Sequence, residues 1–135
     1  MSSLSLQTQK KILDHLVPRG KVVCRVEDSQ YSQGNKYWKV TSLLLVIKEQ
    51  GCVKFKYDLA DMDFSTEWHQ FGKRITDVAY DAKRAIQSDL RYPIIFSPLG
   101  GVLDGTHRIM KALMEDRTWL YAYRLKTMPD ADGDL

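Results

Sequence analysis

The residues best equipped for chemistry in this chain are Asp104, Gly105, Thr106, His107 and Arg108, which stand in one unbroken run. An apolar strand over 92–97 is expected to lead through a tight Gly100-Gly101 turn into a short second strand ending at Asp104-Gly105. A helix is then expected to open on Thr106. That order aims the first-turn N–H groups, an imidazole and a guanidinium at a single point. Unpaired N–H groups at the positive end of a helix dipole favour phosphate or another anion. Arg108 could add a bidentate fork and His107 a switchable donor.

Each of these residues also has a plainer role. Asp104 serves either as a general base or as an N-cap, and Thr106 either as a phosphate donor or as an alternative cap. Gly105 supplies a positive φ or a close approach. His107 and Arg108 could pair with Asp89 or Asp61. Against that, a cation in the first turn of a helix is unfavourable by about 0.3–1 kcal/mol. A sequence that keeps two cations there points to an anion.

A second set of candidates lies upstream. Asp58, Asp61 and Asp63 could hold a divalent ion or activate water, or could simply form a solvated loop over 60–72. His69 has no partner at metal-ligand spacing and is expected to be structural. Trp68 and Tyr92 could stack on a base but are expected in the core. Lys73, Arg74, Lys83, Arg84 and Arg91 could line up as a basic stripe. The interleaved Asp77, Asp81 and Asp89 point instead to ordinary pairing on a helix surface.

The elements that must position these residues follow from periodicity. Residues 4–17 read as a short amphipathic helix and 21–26 as a strand, followed by a polar loop over 27–36. Residues 37–48 are rich in aromatic and β-branched side chains, and 43–47 read as a buried strand. Val53, Phe55, Tyr57 and Leu59 alternate with Lys54, Lys56 and Asp58, which predicts a strand and makes 37–59 a hairpin candidate. Ile75, Val78, Ala79, Ala82, Ala85 and Ile86 recur at helical spacing within a helix over about 74–90. A further helix over 106–115 is expected to bury Ile109, Met110, Leu113 and Met114. Residues 118–125 return as a strand, and 127–135 are expected to be an acidic, flexible tail. Strands and helices mixed without regular βαβ alternation indicate α+β.

The 135 residues, 44% of them hydrophobic, suit one domain over 1–126 without a metal or disulfide staple. Cys24 and Cys52 share no metal-binding spacing and fit buried thiols in a reducing cytoplasm. No apolar run approaches the ~20 residues that span a bilayer, and Gln7 to Lys11 interrupt what would be a signal peptide's apolar core. A net charge of +3 permits nucleic-acid binding without arguing for it.

From the strand, the Gly-Gly turn, the second strand, the Asp104–Arg108 box and the helix after it, the chain resembles the ParB/sulfiredoxin superfamily. The resemblance covers about residues 73–130 and is looser through Asp58, Asp61, Asp63 and Trp68. It implies a single α+β domain with a small mixed sheet flanked by helices, the motif-bearing part being 73–126. It also implies nucleotide phosphates held at Gly105, Thr106, His107 and Arg108, with Asp104 as orienting or catalytic carboxylate. The cofactor implied is ATP or another nucleoside triphosphate with Mg²⁺.

The departures narrow what the resemblance implies. Sulfiredoxins place a reactive cysteine where this chain has Thr106, and a hydroxyl cannot replace a low-pKa thiolate. Partition-type ParB proteins carry an arginine where this chain has His107. A serine-kinase branch uses an acidic base, a role open to Asp104. The leading expectation is therefore a nucleotide or phosphorylated small molecule as partner, with phosphoryl transfer or hydrolysis left open. The alternatives are a DNA-binding or nuclease module, and a non-enzymatic partner protein with a structural box.

Overall fold

A computed structural model describes residues 29–64 and 74–135. The expected helix over 4–17, the strand over 21–26, Cys24, Trp68 and His69 lie outside the described residues.

β1 (Gln30–Gln33) and β2 (Lys36–Lys39) form an antiparallel hairpin across Gly34, whose φ of +63° is a conformation glycine adopts without penalty. The polar loop expected over 27–36 is thus in large part a hairpin. β2 passes directly into α1 (Val40–Glu49), where a buried strand was expected. Val40, Leu43 and Ile47 are buried at helical spacing, while Leu44 and Leu45 stay exposed, so the apolar run packs on one helical face. The hairpin expected over 37–59 is therefore absent. β3 (Phe55–Asp58) follows, then a single 3₁₀ turn (Leu59–Asp61).

The second half runs α2 (Ile75–Gln87), β4 (Ile94–Phe96), β5 (Val102–Asp104), α3 (Thr106–Met114), β6 (Trp119–Arg124) and β7 (Gly133–Asp134). β3, β6, β4 and β5 lie in that order in a mixed sheet, parallel only between β4 and β6. The α+β class holds for the described residues, with a second, three-stranded sheet β1-β2-β7 beside the first. The expected flexible tail is in fact tied down. β7 pairs with β2, and Asp132 accepts hydrogen bonds from the Lys39 N–H and the Ser42 hydroxyl.

β4 is buried on both faces and divides the core. Ile94 and Phe96 join Leu120, Ala122 and α3's Ile109 and Ala112 in one cluster. Ile95 joins Trp38, α1's Val40, Leu43 and Ile47, Leu103 and Leu125 in the other. The sheet thus sits between α3 on one face and α1 on the other. This fixes the turn from β5 into α3 against the most buried strand of the molecule.

Two helices bury only part of the expected face, Ala85 on α2 and Ile109 on α3 being buried as expected. On α2 the buried residues are Asp81 and Ala85, while Ile75, Val78 and Ile86 are exposed. On α3 they are Ile109 and Ala112, with Leu113 and Met114 exposed.

Candidate functional site

The Gly-Gly turn between β4 and β5 is closed by Ser97, whose N–H donates to the Gly101 carbonyl at 2.7 Å and whose carbonyl accepts from Gly100 at 3.0 Å. β5 then delivers Asp104 and Gly105 to the start of α3. Gly105 is the N-cap residue, with φ +112°, so neither Asp104 nor Thr106 occupies the capping position expected of them. A Cβ on Gly105 would stand 2.4 Å from Ile94 Cγ2, so the close approach that requires glycine is to the core rather than to a ligand.

The two basic side chains of the box each meet a carboxylate, though neither meets the partner expected. Arg108 donates from Nη2 to Asp104 Oδ2 at 2.6 Å, one helical turn away, and to the Pro93 carbonyl at 3.3 Å. These bonds tie α3 to the approach to β4. Arg108 Nε is buried with no hydrogen-bond partner among the described residues. The guanidinium engages one oxygen of the Asp104 carboxylate, Oδ2.

His107 Nε2 lies 2.9 Å from Asp81 Oδ1 on α2, a contact between residues 26 apart in sequence. Burial holds the imidazole below the ordinary histidine range, assisted by the charges of Arg84 and Arg108 and opposed by Asp81. The ring is accordingly neutral at pH 7 and donates its Nε2 proton to the Asp81 carboxylate. Asp81 is 8% exposed and is the buried charged residue among those described.

Since Gly105 brings no side chain, the leading N–H groups of Thr106 and Arg108 have no acceptor among the described residues. The run 104–108 thus stands together at the first turn of α3, flanked by two anchored side chains.

The acidic triplet is arranged differently. Asp58 Oδ1 accepts from the Ala60 N–H and starts the 3₁₀ turn that contains Asp61. Among the described residues no group of three or more His, Cys, Asp or Glu side chains is arranged to hold a metal ion. Of the basic stripe, Arg74 pairs with Asp77 and Arg91 with Asp89, as ordinary surface pairing predicts. Tyr92 is 60% exposed rather than core. Cys52 is a half-buried free thiol, and no helix among the described residues is long and apolar enough to cross a membrane.

Residues outside the 104–108 box line a concavity. A cleft of about 500 Å³ opens between the 87–91 loop, α3 and β6, with Lys111, Arg117 and Tyr121 in its wall. Lys111 follows His107 by four residues and so shares its side of α3. The signal that could have found this site was the spacing of cations around Trp119 and Tyr121, but their partners come from three separate segments. Comparison with known protein families, characterised proteins and solved structures finds no match to this chain.

Proposed function

We propose that this chain binds a phosphate group of a nucleotide, or of another phosphorylated small molecule, at the turn from β5 into α3. The observation that carries this reading is Arg108 Nε, buried without an acceptor among the described residues, beside the Thr106 and Arg108 N–H groups, which likewise find none there. Buried polar groups are nearly always satisfied, and an orphaned guanidinium nitrogen next to open helix amides calls for an anion. Gly105, Thr106 and Arg108 would present backbone N–H groups and Arg108 its remaining guanidinium donors, with Asp104 keeping Arg108 in place and His107, whose single N–H goes to Asp81, bracing the turn against α2. A nucleoside triphosphate would come with Mg²⁺, because a bare phosphate beside Asp104 meets a like charge. The order β4, Gly-Gly turn, β5, box and α3 is the arrangement that supports a ParB/sulfiredoxin-like architecture. Binding rather than phosphoryl transfer is the function proposed.

The test is thermal unfolding with ATP, ADP, CTP, GTP and phosphate, each with and without Mg²⁺. At about ten times its dissociation constant a ligand stabilises the fold by about 1.4 kcal/mol, a shift of about 5 °C for a domain of this size. Arg108→Ala should abolish the ligand-dependent shift and lower the ligand-free stability by about 1–2 kcal/mol through its lost bonds to Asp104 and Pro93.

The internal pairing of His107 and Arg108 favours a second reading, in which the box is a structural clamp within a non-enzymatic protein. It predicts the same stability loss in Arg108→Ala, with no nucleotide or phosphate shifting the wild type.

A further inference from the structure

Lys56 stands opposite Tyr121, and Asp58 opposite Trp119, in the antiparallel pair β3–β6. Alternation sends Phe55, Tyr57, Leu120 and Ala122 into the core, which leaves Lys56, Trp119 and Tyr121 on the other face. There Lys54 Nζ sits 4.6 Å from the centroid of the Tyr121 ring and Lys56 Nζ 4.6 Å from that of Trp119. The Arg117 guanidinium lies 4.4 Å from the Trp119 centroid. The two rings meet edge to face, 4.9 Å apart at 81°. Cations and aromatic rings therefore alternate across one strand pair.

This face is continuous with the cleft of about 500 Å³, because Arg117 and Tyr121 belong to both. The basic groups of the cleft are held by protein acceptors that leave donors over. Lys111 Nζ uses one bond on the Ser88 carbonyl at 2.8 Å, and Arg117 uses Nε on the Trp119 carbonyl at 2.8 Å. Each thus offers a positioned cation with its remaining N–H groups uncommitted. Arg91 is taken up by Asp89, whose carboxyl it holds down at about 2. Glu115 lines the cleft and Asp58 ends β3, so the excess of positive charge is small.

We infer that the β3–β6 face and the adjoining cleft form a binding surface for single-stranded nucleic acid, with bases stacking on Trp119 and Tyr121 and phosphates meeting Lys54, Lys56, Lys111 and Arg117. Half-buried strand aromatics under flexible lysines accept unstacked bases when the lysines swing from the rings to the backbone phosphates. A duplex keeps its base faces inside its own stack and gains only the charge. Four cations predict a modest salt dependence, of about four phosphate contacts and a log–log slope near −3. This surface does not depend on the phosphate site proposed at 104–108.

Fluorescence anisotropy with labelled oligo-U and oligo-dT of about 12 nucleotides, and with a duplex of the same length, tests the inference at about 50 mM salt. Single strands should bind at least about tenfold more tightly than the duplex. Lys54→Gln/Lys56→Gln, at two exposed positions, should weaken binding at least about tenfold. Binding should also quench tryptophan fluorescence, and Trp119→Phe should remove most of the quench while largely keeping affinity. Preference between oligo-U and oligo-dT assigns RNA or DNA, and binding of either supports the surface. No binding to either strand, equal binding to the duplex, or an unaffected lysine variant would overturn it. Nucleotide-dependent stabilisation without oligonucleotide binding refutes this surface alone, and the converse refutes the phosphate site alone.

Discussion

Gly105→Ala should destabilise the fold by about 2–5 kcal/mol, combining left-handed backbone strain with overpacking of the core. Gly105 has φ +112°, and its added methyl would stand 2.4 Å from Ile94 Cγ2, 2.9 Å from Ile94 Cβ and 3.2 Å from Arg108 Nη2. Ile94 cannot yield readily. It is fully buried and pairs with Ala122 across the parallel β4–β6 ladder. Gly34→Ala is the matched control, because Gly34 also has positive φ (+63°) but nothing lies within 4 Å of its Cβ position. It should cost only the backbone strain, about 1–2 kcal/mol. Urea unfolding of both variants separates the two terms. Ile94→Ala/Gly105→Ala should be less destabilised than the sum of the single changes, because removing Ile94's branches relieves the clash. Equal losses in Gly105→Ala and Gly34→Ala would show that Ile94 moves aside and that the box is not rigidly set on β4.

The contrast between Gly105 and α1 shows what a sequence can convey here. The run 104–108 was legible because its signals are local: two strands around Gly100-Gly101, a glycine, then a helical pattern opening on Thr106. α1 was not, because the apolar run 43–47 has no period of its own and suits a buried strand or a buried helix equally. Its helical register appears only when Val40, Leu43 and Ile47 meet Trp38, Ile95 and Leu125. β7 was missed for a similar reason, since Gly133 and Asp134 have little strand propensity and are held by β2 and by the bonds of Asp132. On α2 the apolar stripe of Ile75, Val78 and Ile86 was visible, but the helix turns Asp81 inward instead. Nothing near Asp81 in sequence announces that. Its partner is His107, and hydrogen bonding between buried groups overrides hydrophobic periodicity. The same long-range assembly hid the face formed by Lys54, Lys56, Arg117, Trp119 and Tyr121.

Asp81→Ala is the second large loss expected, about 3 kcal/mol, because it removes a hydrogen bond to a charged group and strands the buried His107 donor. The contact joins α2 to α3, and the two side chains are 11% and 18% exposed, so water offers little compensation. If the loss arises from this contact, His107→Leu in the Asp81→Ala background should cost much less than in the wild type. The pair also sets a pH dependence whose sign is fixed by burial. The His107 pKa is lower in the folded protein than the ordinary 6.5 of an unfolded histidine, the loss of solvent outweighing the pull of Asp81. Below that value the unfolded chain takes up a proton that the folded chain resists, so stability is full above about pH 6.5 and falls as pH drops through the folded pKa. Asp89, held at about 2 by Arg91, releases its contribution only at much lower pH and leaves this window to the histidine. Unfolding free energies between about pH 5 and pH 7.5 should therefore decline on the acid side, and His107→Gln should flatten that decline. A wild type that gains stability on acidification would mean that His107 is protonated against Asp81, and α2 and α3 would then be joined by an ion pair.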